Sequence, residues 1–248
     1  MTMETMYEEE VKEEVVRWKR KMGKRSSMAA RYAKQLQAKV NQLIPAKVHT
    51  VVTNAIKHMV HATLIGSEYM TKSTPKQGLS LEEREEIVKR LAQTYKRTAA
   101  IEGAGTGAGG VFLGIADFPL LLSIKMKFLF EVATAYGYDV RDYRERLFLL
   151  YLFQLAYARD EKRPLLLERI ERWEEEKHNL PSEETYLSEI DWQQFQLDYR
   201  DYIDLPKMLQ LIPGFGAIVG VIANARFLDL LKETAMNSYR LRYFSKTE

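Results

Sequence analysis

The chain has no cysteine, which excludes disulfides, thiolate metal sites and thiol nucleophiles together and fits a reducing compartment. Proline is scarce and glycine is confined to a few places, so strands have little to claim and most of the chain is open to helix. The opening, MTMETMYEEEVKEEVV, lacks both the basic n-region and the apolar h-region of a secretory signal, and a cytoplasmic location is expected. Nor is a membrane-crossing helix expected. The uncharged run from Met208 to Ala225 is interrupted by Pro213, and the stretch 103–124 carries Asp117 among weakly hydrophobic glycines, whereas a span takes about 20 apolar residues. Acidic residues are missing from one whole region, Val15 to Ser67.

That gap exposes a charge pattern which the net value of +3 conceals. Residues 1–14 hold six glutamates and one lysine. Beyond them Arg17, Lys19, Arg20, Lys21, Lys24, Arg25, Arg31 and Lys34 are followed by Lys39, Lys47 and Lys57 with no acid between them. Between Lys24 and Ile44 the apolar residues Ala29, Tyr32, Ala33, Leu36, Val40, Leu43 and Ile44 form a single helical stripe. A basic helix with such a stripe suits an anionic membrane surface or an acidic partner. It equally suits a helix with its stripe in the core and its lysines in water. Nucleic acid is not expected, because no recognisable binding motif accompanies the charge.

At 248 residues with 46% hydrophobic and 29% charged composition, the chain can bury a sizeable core. The pattern predicts an all-α, multi-helix globular bundle with glycine-rich, close-packed central helices. It divides into 1–79, an acidic N-terminus with a basic amphipathic helical arm, and a helical core over 80–248, the two admitting fusion into one continuous domain. Pro45 opens a helix that stops near Gly66, and Thr71 to Leu79 reads as a loop. Ser80 and Glu83 have capping-box spacing, predicting a helix to about Ile101. Asp117 with Pro119 suits the start of another, ending at Gly137. Further helices are expected over Arg141 to Ala158, from Pro164 to near His178, over Trp192 to Leu211, and from Gly216 to about Tyr243, with Asn179 to Glu184 a loop.

Several motifs invite a chemical reading. Gly105 to Gly110 matches G-x-G-x-x-G, but a helical pattern precedes it where a dinucleotide-binding loop requires a strand. The glycines Gly103, Gly105, Gly107, Gly110 and Gly114, with Gly214, Gly216 and Gly220, instead suit close helix packing or shallow membrane insertion. His58 and His61 share a helix face without a third ligand nearby, so no metal site is expected. Glu102, Asp117 and Glu131 are acids in apolar surroundings and form the alternative catalytic set, of hydrolase type, which requires them to converge in one cavity. Caps and salt bridges explain them, and Asp229, at less cost. Phe195, Tyr199 and Tyr202, beside Arg200, Asp201 and Asp204, form either a partner surface or a helix with aromatics turned into the core.

In combination the residues resemble a known family. Gly103-Ala-Gly-Thr-Gly-Ala-Gly-Gly110, Leu113-Gly-Ile-Ala-Asp-Phe-Pro119, Lys125, Glu131 and Tyr136-Gly-Tyr-Asp139 are similar to the central signature of EcsC proteins. The later stretches Tyr199-Arg-Asp-Tyr-Ile-Asp204, Leu211-Ile-Pro-Gly214, Gly216-Ala217, Asn224 and Ala235-Met-Asn-Ser-Tyr-Arg240 resemble them too. The resemblance implies an accessory protein encoded with the Ecs ABC transporter, whose ATPase is EcsA and whose membrane subunit is EcsB, a system linked to secretion and envelope traits; a non-enzymatic role is expected. It implies no cofactor and no catalytic residues, and places the protein at the inner face of the cell membrane.

Overall fold

The computed structural model describes residues 3–23, 46–65, 74–106, 118–203 and 219–246. Among them the protein is all-α: α1 (Met3–Gly23), α2 (Ala46–Ile65), α3 (Leu81–Thr106), α4 (Phe118–Ala135), α5 (Tyr143–Tyr157), α6 (Arg163–Glu171), α7 (Trp173–Glu176), α8 (Glu183–Glu189), α9 (Trp192–Tyr202) and α10 (Val219–Phe244).

Local chemistry sets many of these boundaries. The capping box forms at the start of α3: the Ser80 backbone N–H donates to Glu83 Oε2 at 2.8 Å, and Glu83 N–H donates to Ser80 Oγ at 3.2 Å. After α4 the chain turns at Gly137, whose φ of +87° suits a residue without Cβ. A Cβ there would lie 2.7 Å from Arg84 Nη1 and 2.9 Å from the Lys76 carbonyl oxygen. Asp142 then caps α5 by accepting from Arg144 N–H.

Elsewhere tertiary packing overrides the local pattern. The acidic start and the first basic residues form one helix, α1, because Val11, Val15, Trp18 and Met22 bury one face of it. α3 continues past Ile101 to Thr106, through Gly103 and Gly105. The helix opened by Pro164 breaks at Arg172, and Trp173 restarts it with its indole in the core. The expected loop at 179–184 is cut short by α8, capped by Ser182. α9 ends at Tyr202, where Ile203 forms an isolated bridge with Ala158.

The core is one continuous cluster. α4 and α5 supply its centre, with Phe128, Phe130, Phe148 and Phe153 fully buried, and α1, α2, α3, α6 and α10 pack around them.

Side-chain links fix the helix directions. Glu85 meets Arg240 and Lys96 meets Asp229, so α3 and α10 are antiparallel. Arg84 Nη1 reaches the Ala135 carbonyl while Tyr95 reaches Glu131, so α3 and α4 are antiparallel as well. α4 and α10 therefore run parallel. α1 is antiparallel to α10, through Glu8 with Tyr243, Glu14 with Arg240 and Lys21 with Glu233. α5 is also antiparallel to α10, with Arg242 on Glu145 and Tyr157 on the Phe227 carbonyl. Arg146 holds the Leu64 carbonyl at 2.9 Å, which sets the end of α2 beside the start of α5.

These directions bring the ends of α1, α3, α5 and α9 and the starts of α2, α4 and α10 to one end of the bundle, here the junction end. Residues 23 and 46, 106 and 118, and 203 and 219 therefore lie at this end.

Candidate functional site

Three arrangements hold chemistry that the fold alone does not require. The first is a cleft of about 760 Å³ between α1, α3 and α10. Its floor is Glu85, 0% exposed, held bidentately by Arg240 with Nε to Oε1 and Nη2 to Oε2 both at 2.6 Å. Tyr7 donates to Glu85 Oε2 at 2.7 Å, and Tyr136 donates to Oε1 at 3.5 Å. Arg240 Nη1 also reaches Glu14 at 2.8 Å and Asn237 Oδ1 at 3.1 Å. Burial opposes the charge of Arg240, but the hydrogen bonds and charge of Glu85 outweigh it and hold the guanidinium above its ordinary pKa. Burial, reinforced by Glu85, pushes the Tyr7 phenol upward. Both carboxylate oxygens of Glu85 are thus committed, so this floor is a structural lock and not a general base.

A second lock surrounds Arg242, 1% exposed and bidentate to Glu145 at 2.5 and 2.6 Å, with Nε on Glu174 at 2.6 Å. Its guanidinium lies 3.7 Å from the Tyr138 ring centroid and 4.4 Å from that of Phe148. Arg146 has a similar position, bonded to the carbonyls of Leu64, Val140 and Arg141 and to Glu183.

The third arrangement is the exception among the buried cations. Lys125 is 1% exposed, and among the described residues its Nζ has the Leu121 carbonyl and Asn224 Oδ1 as acceptors, each at 3.4 Å. Burial lowers its pKa from 10.5 to about 7.

The sequence-predicted residues distribute as follows. In the basic arm, Arg17 pairs with Glu13 at 3.2 Å, while Lys19 and Lys21 cross to Glu171 and Glu233 at 2.5 and 2.8 Å, tying α1 to α6 and α10. Arg20 is exposed on α1. Lys24, Arg25, Arg31 and Lys34 lie outside the described residues. Of the acids proposed for catalysis, Glu131 accepts from Tyr95 at 2.8 Å. Asp117 and the Glu102 side chain are outside the described residues. Among the glycines, Gly103 and Gly105 sit on the last turns of α3 and Gly220 on the first turn of α10. Gly107, Gly110, Gly114, Gly214 and Gly216 are outside the described residues.

His61 packs at a tilt against Trp192 with ring centroids 4.6 Å apart, and among the described residues no group of His, Cys, Asp and Glu could hold a metal ion. Of the aromatic run, Tyr199 turns into the core and donates to the Leu150 carbonyl at 2.9 Å, while Phe195 and Tyr202 are half-buried. Sequence reasoning missed Glu85, Arg240, Glu145 and Arg242. Arg240 stands in the sequence reading only as the last residue of Ala235-Met-Asn-Ser-Tyr-Arg240, and a glutamate or arginine on a helix is too common to single out.

The model of the EcsC protein family matches residues 9–244. "Protein EcsC" of Bacillus subtilis (strain 168) is 49% identical over 235 residues, covering 95% of this chain and 95% of that protein. "Uncharacterized protein YdbA" of the same organism is 31% identical over 159 residues, covering 64% of this chain and 57% of that one. No solved structure matches.

Proposed function

The chain belongs to the EcsC protein family, and from that premise we propose that it is a non-enzymatic, membrane-peripheral accessory protein. It docks by its junction end on the anionic inner face of a membrane that carries an EcsAB-like ABC transporter. The observation that carries this reading is the convergence of helix ends. The sequences joining them at that end are the basic amphipathic stretch 24–45 and the glycine-rich apolar stretches 107–117 and 204–218. Basic residues attract anionic headgroups and apolar residues enter the interface, so described helix ends that converge where such sequences begin and end support a docking face. Peripheral attachment is in keeping with the helices, because among the described residues none is long and apolar enough to cross a membrane.

The test is co-sedimentation with phosphatidylglycerol and with phosphatidylcholine vesicles at low and high salt. Lys19 and Lys21 tie α1 to the body, so the charge-reversal variant uses Arg20, Lys24, Arg25 and Arg31, each to Glu. Each basic residue near an anionic surface contributes about 1 kcal/mol, so losing four weakens binding to phosphatidylglycerol by about a thousandfold. Salt should weaken the wild type in the same direction. Equal binding by wild type and variant, or equal binding to both lipids, would refute the docking role.

A further inference from the structure

A second cleft, of about 590 Å³, lies between α5, α6, α8 and α9 and is walled mainly by aromatic rings. Tyr151 and Gln154 enter it from α5, Arg169 from α6, Tyr186 from α8, and Phe195 and Tyr202 from α9. Its base is Tyr199, 2% exposed. The Tyr199 hydroxyl donates to the Leu150 carbonyl at 2.9 Å, its own carbonyl accepts from Gln154 Nε2 at 3.1 Å, and its ring stacks on that of Phe195 with centroids 6.3 Å apart. Those two hydrogen bonds tie α9 to α5 and hold the wall rings in register before any ligand arrives. Half-buried aromatic rings gathered on a concave surface, each with a polar handle, are the material of binding grooves.

The polar groups of the cleft define what it can take. Tyr151 and Tyr186 are half-buried, and their hydroxyls donate to no acceptor among the described residues. Arg169 lies over the Tyr151 ring at 5.0 Å and Lys162 over the Tyr202 ring at 4.9 Å, adding donors at the edges. Of the acids at the rim, Asp198 accepts from Gln194 on its own helix at 2.7 Å, and Asp201 is engaged as well. The walls therefore offer ring faces and donors, and their complement is a ligand with ring faces and acceptors. A proline-rich chain has that chemistry: its polyproline II helix makes no internal hydrogen bonds, so its carbonyls stay free, and each proline brings a ring and no N–H.

Spacing agrees. Phe195 and Tyr202 stand two turns apart on one face of α9, about 10 Å along its axis, and a polyproline II helix advances about 9 Å in three residues. Prolines three positions apart can thus rest on both rings. The seven prolines of this chain are scattered, and no two are three positions apart, so such a ligand comes from another protein.

We infer that the cleft between α5, α6, α8 and α9 is a docking groove for a proline-rich segment of a partner protein, held along α9 in the polyproline II conformation. The groove does not rest on the membrane reading above.

The test titrates fluorescein-labelled decaproline with the full-length protein and reads anisotropy. A labelled glycine-serine peptide and a labelled lysine-rich peptide of the same length are the controls. Decaproline should bind saturably and at least about tenfold more tightly than either. Tyr151→Phe with Tyr186→Phe removes both free donors and keeps both rings, and since neither hydroxyl donates within the described structure the double variant should melt with the wild type; it should bind decaproline about tenfold more weakly. Phe195→Leu, which keeps apolar bulk and removes the ring face, should weaken binding about fivefold. Absence of saturable decaproline binding, equal affinity for the glycine-serine peptide, or unchanged affinity in both variants overturns the groove. Preference for the lysine-rich peptide overturns it too, since the rings and Asp198 would then serve a cation.

Discussion

Replacing Arg240 by Met should be among the most destabilising single changes available to this protein. Glu85 would remain at 0% exposure with its carboxylate stripped of two 2.6 Å charge-assisted bonds, and the phenols of Tyr7 and Tyr136 would be its remaining donors. Removing one partner of a buried pair costs about 3 to 5 kcal/mol, since the other charge stays behind uncompensated. That is a large share of the roughly 5 to 15 kcal/mol that holds a domain folded. The bond from Arg240 to Glu14 adds little, because the Glu14 side chain is half exposed and water replaces the guanidinium. In Glu85→Leu with Arg240→Met no charge is stranded, so the double variant should be more stable than Arg240→Met alone, by about 2 kcal/mol or more. Urea denaturation followed by circular dichroism measures the wild type, Arg240→Met, Glu85→Leu and the double variant. A loss under about 1 kcal/mol in Arg240→Met, or additive losses across the cycle, would refute the claim that desolvation of a paired carboxylate governs this site.

Gly137→Ala forces a Cβ into a left-handed turn within 2.7 Å of Arg84 Nη1 and 2.9 Å of a backbone oxygen; a loss of at least about 1 kcal/mol in thermal denaturation is expected, and a neutral result would show that the turn relaxes at no cost. Lys125→Met gives a pH signature. The amine titrates near 7 when folded and near 10.5 when unfolded, so between those values the unfolded chain binds more protons and wild-type stability from this group rises with pH. Below pH 7 the penalty is complete and amounts to about 4 to 5 kcal/mol at most. The variant should therefore be the more stable at pH 7, with the gap closing towards pH 10; a constant gap would show that Lys125 is not the titrating group.

Much of the secondary structure was legible because its causes are local. Ser80 and Glu83 lie three residues apart and cap each other wherever the rest of the chain goes. Gly137 and the apolar spacing of 120–132 act in the same way. The failures are also physical. Nothing local in 1–14 announces a helix beyond its composition, and α1 is held by Trp18 and Val11 entering a core built by distant residues. The break at Arg172 lets Trp173 reach Phe148 and Tyr151 on α5. Charge spacing marked the arm as basic, but could not reveal that Lys19 and Lys21 are occupied by Glu171 and Glu233, more than 150 positions away in the chain.

The sequence by itself determined an all-α protein, the helix starts at Ser80 and near Phe118, and membership of a family through the joint pattern of its glycine-rich stretches. Those properties depend on residues within a few turns of one another or on the string of letters itself. Only the tertiary structure decided that Glu85 finds Arg240 across 155 positions, that Lys125 is buried beside Asn224 without a carboxylate among the described residues, and that seven of the described helix ends gather at one end of the bundle. Pairings of that range are selected by how helix faces pack, and a carboxylate in the sequence carries no mark of which distant guanidinium will share its burial.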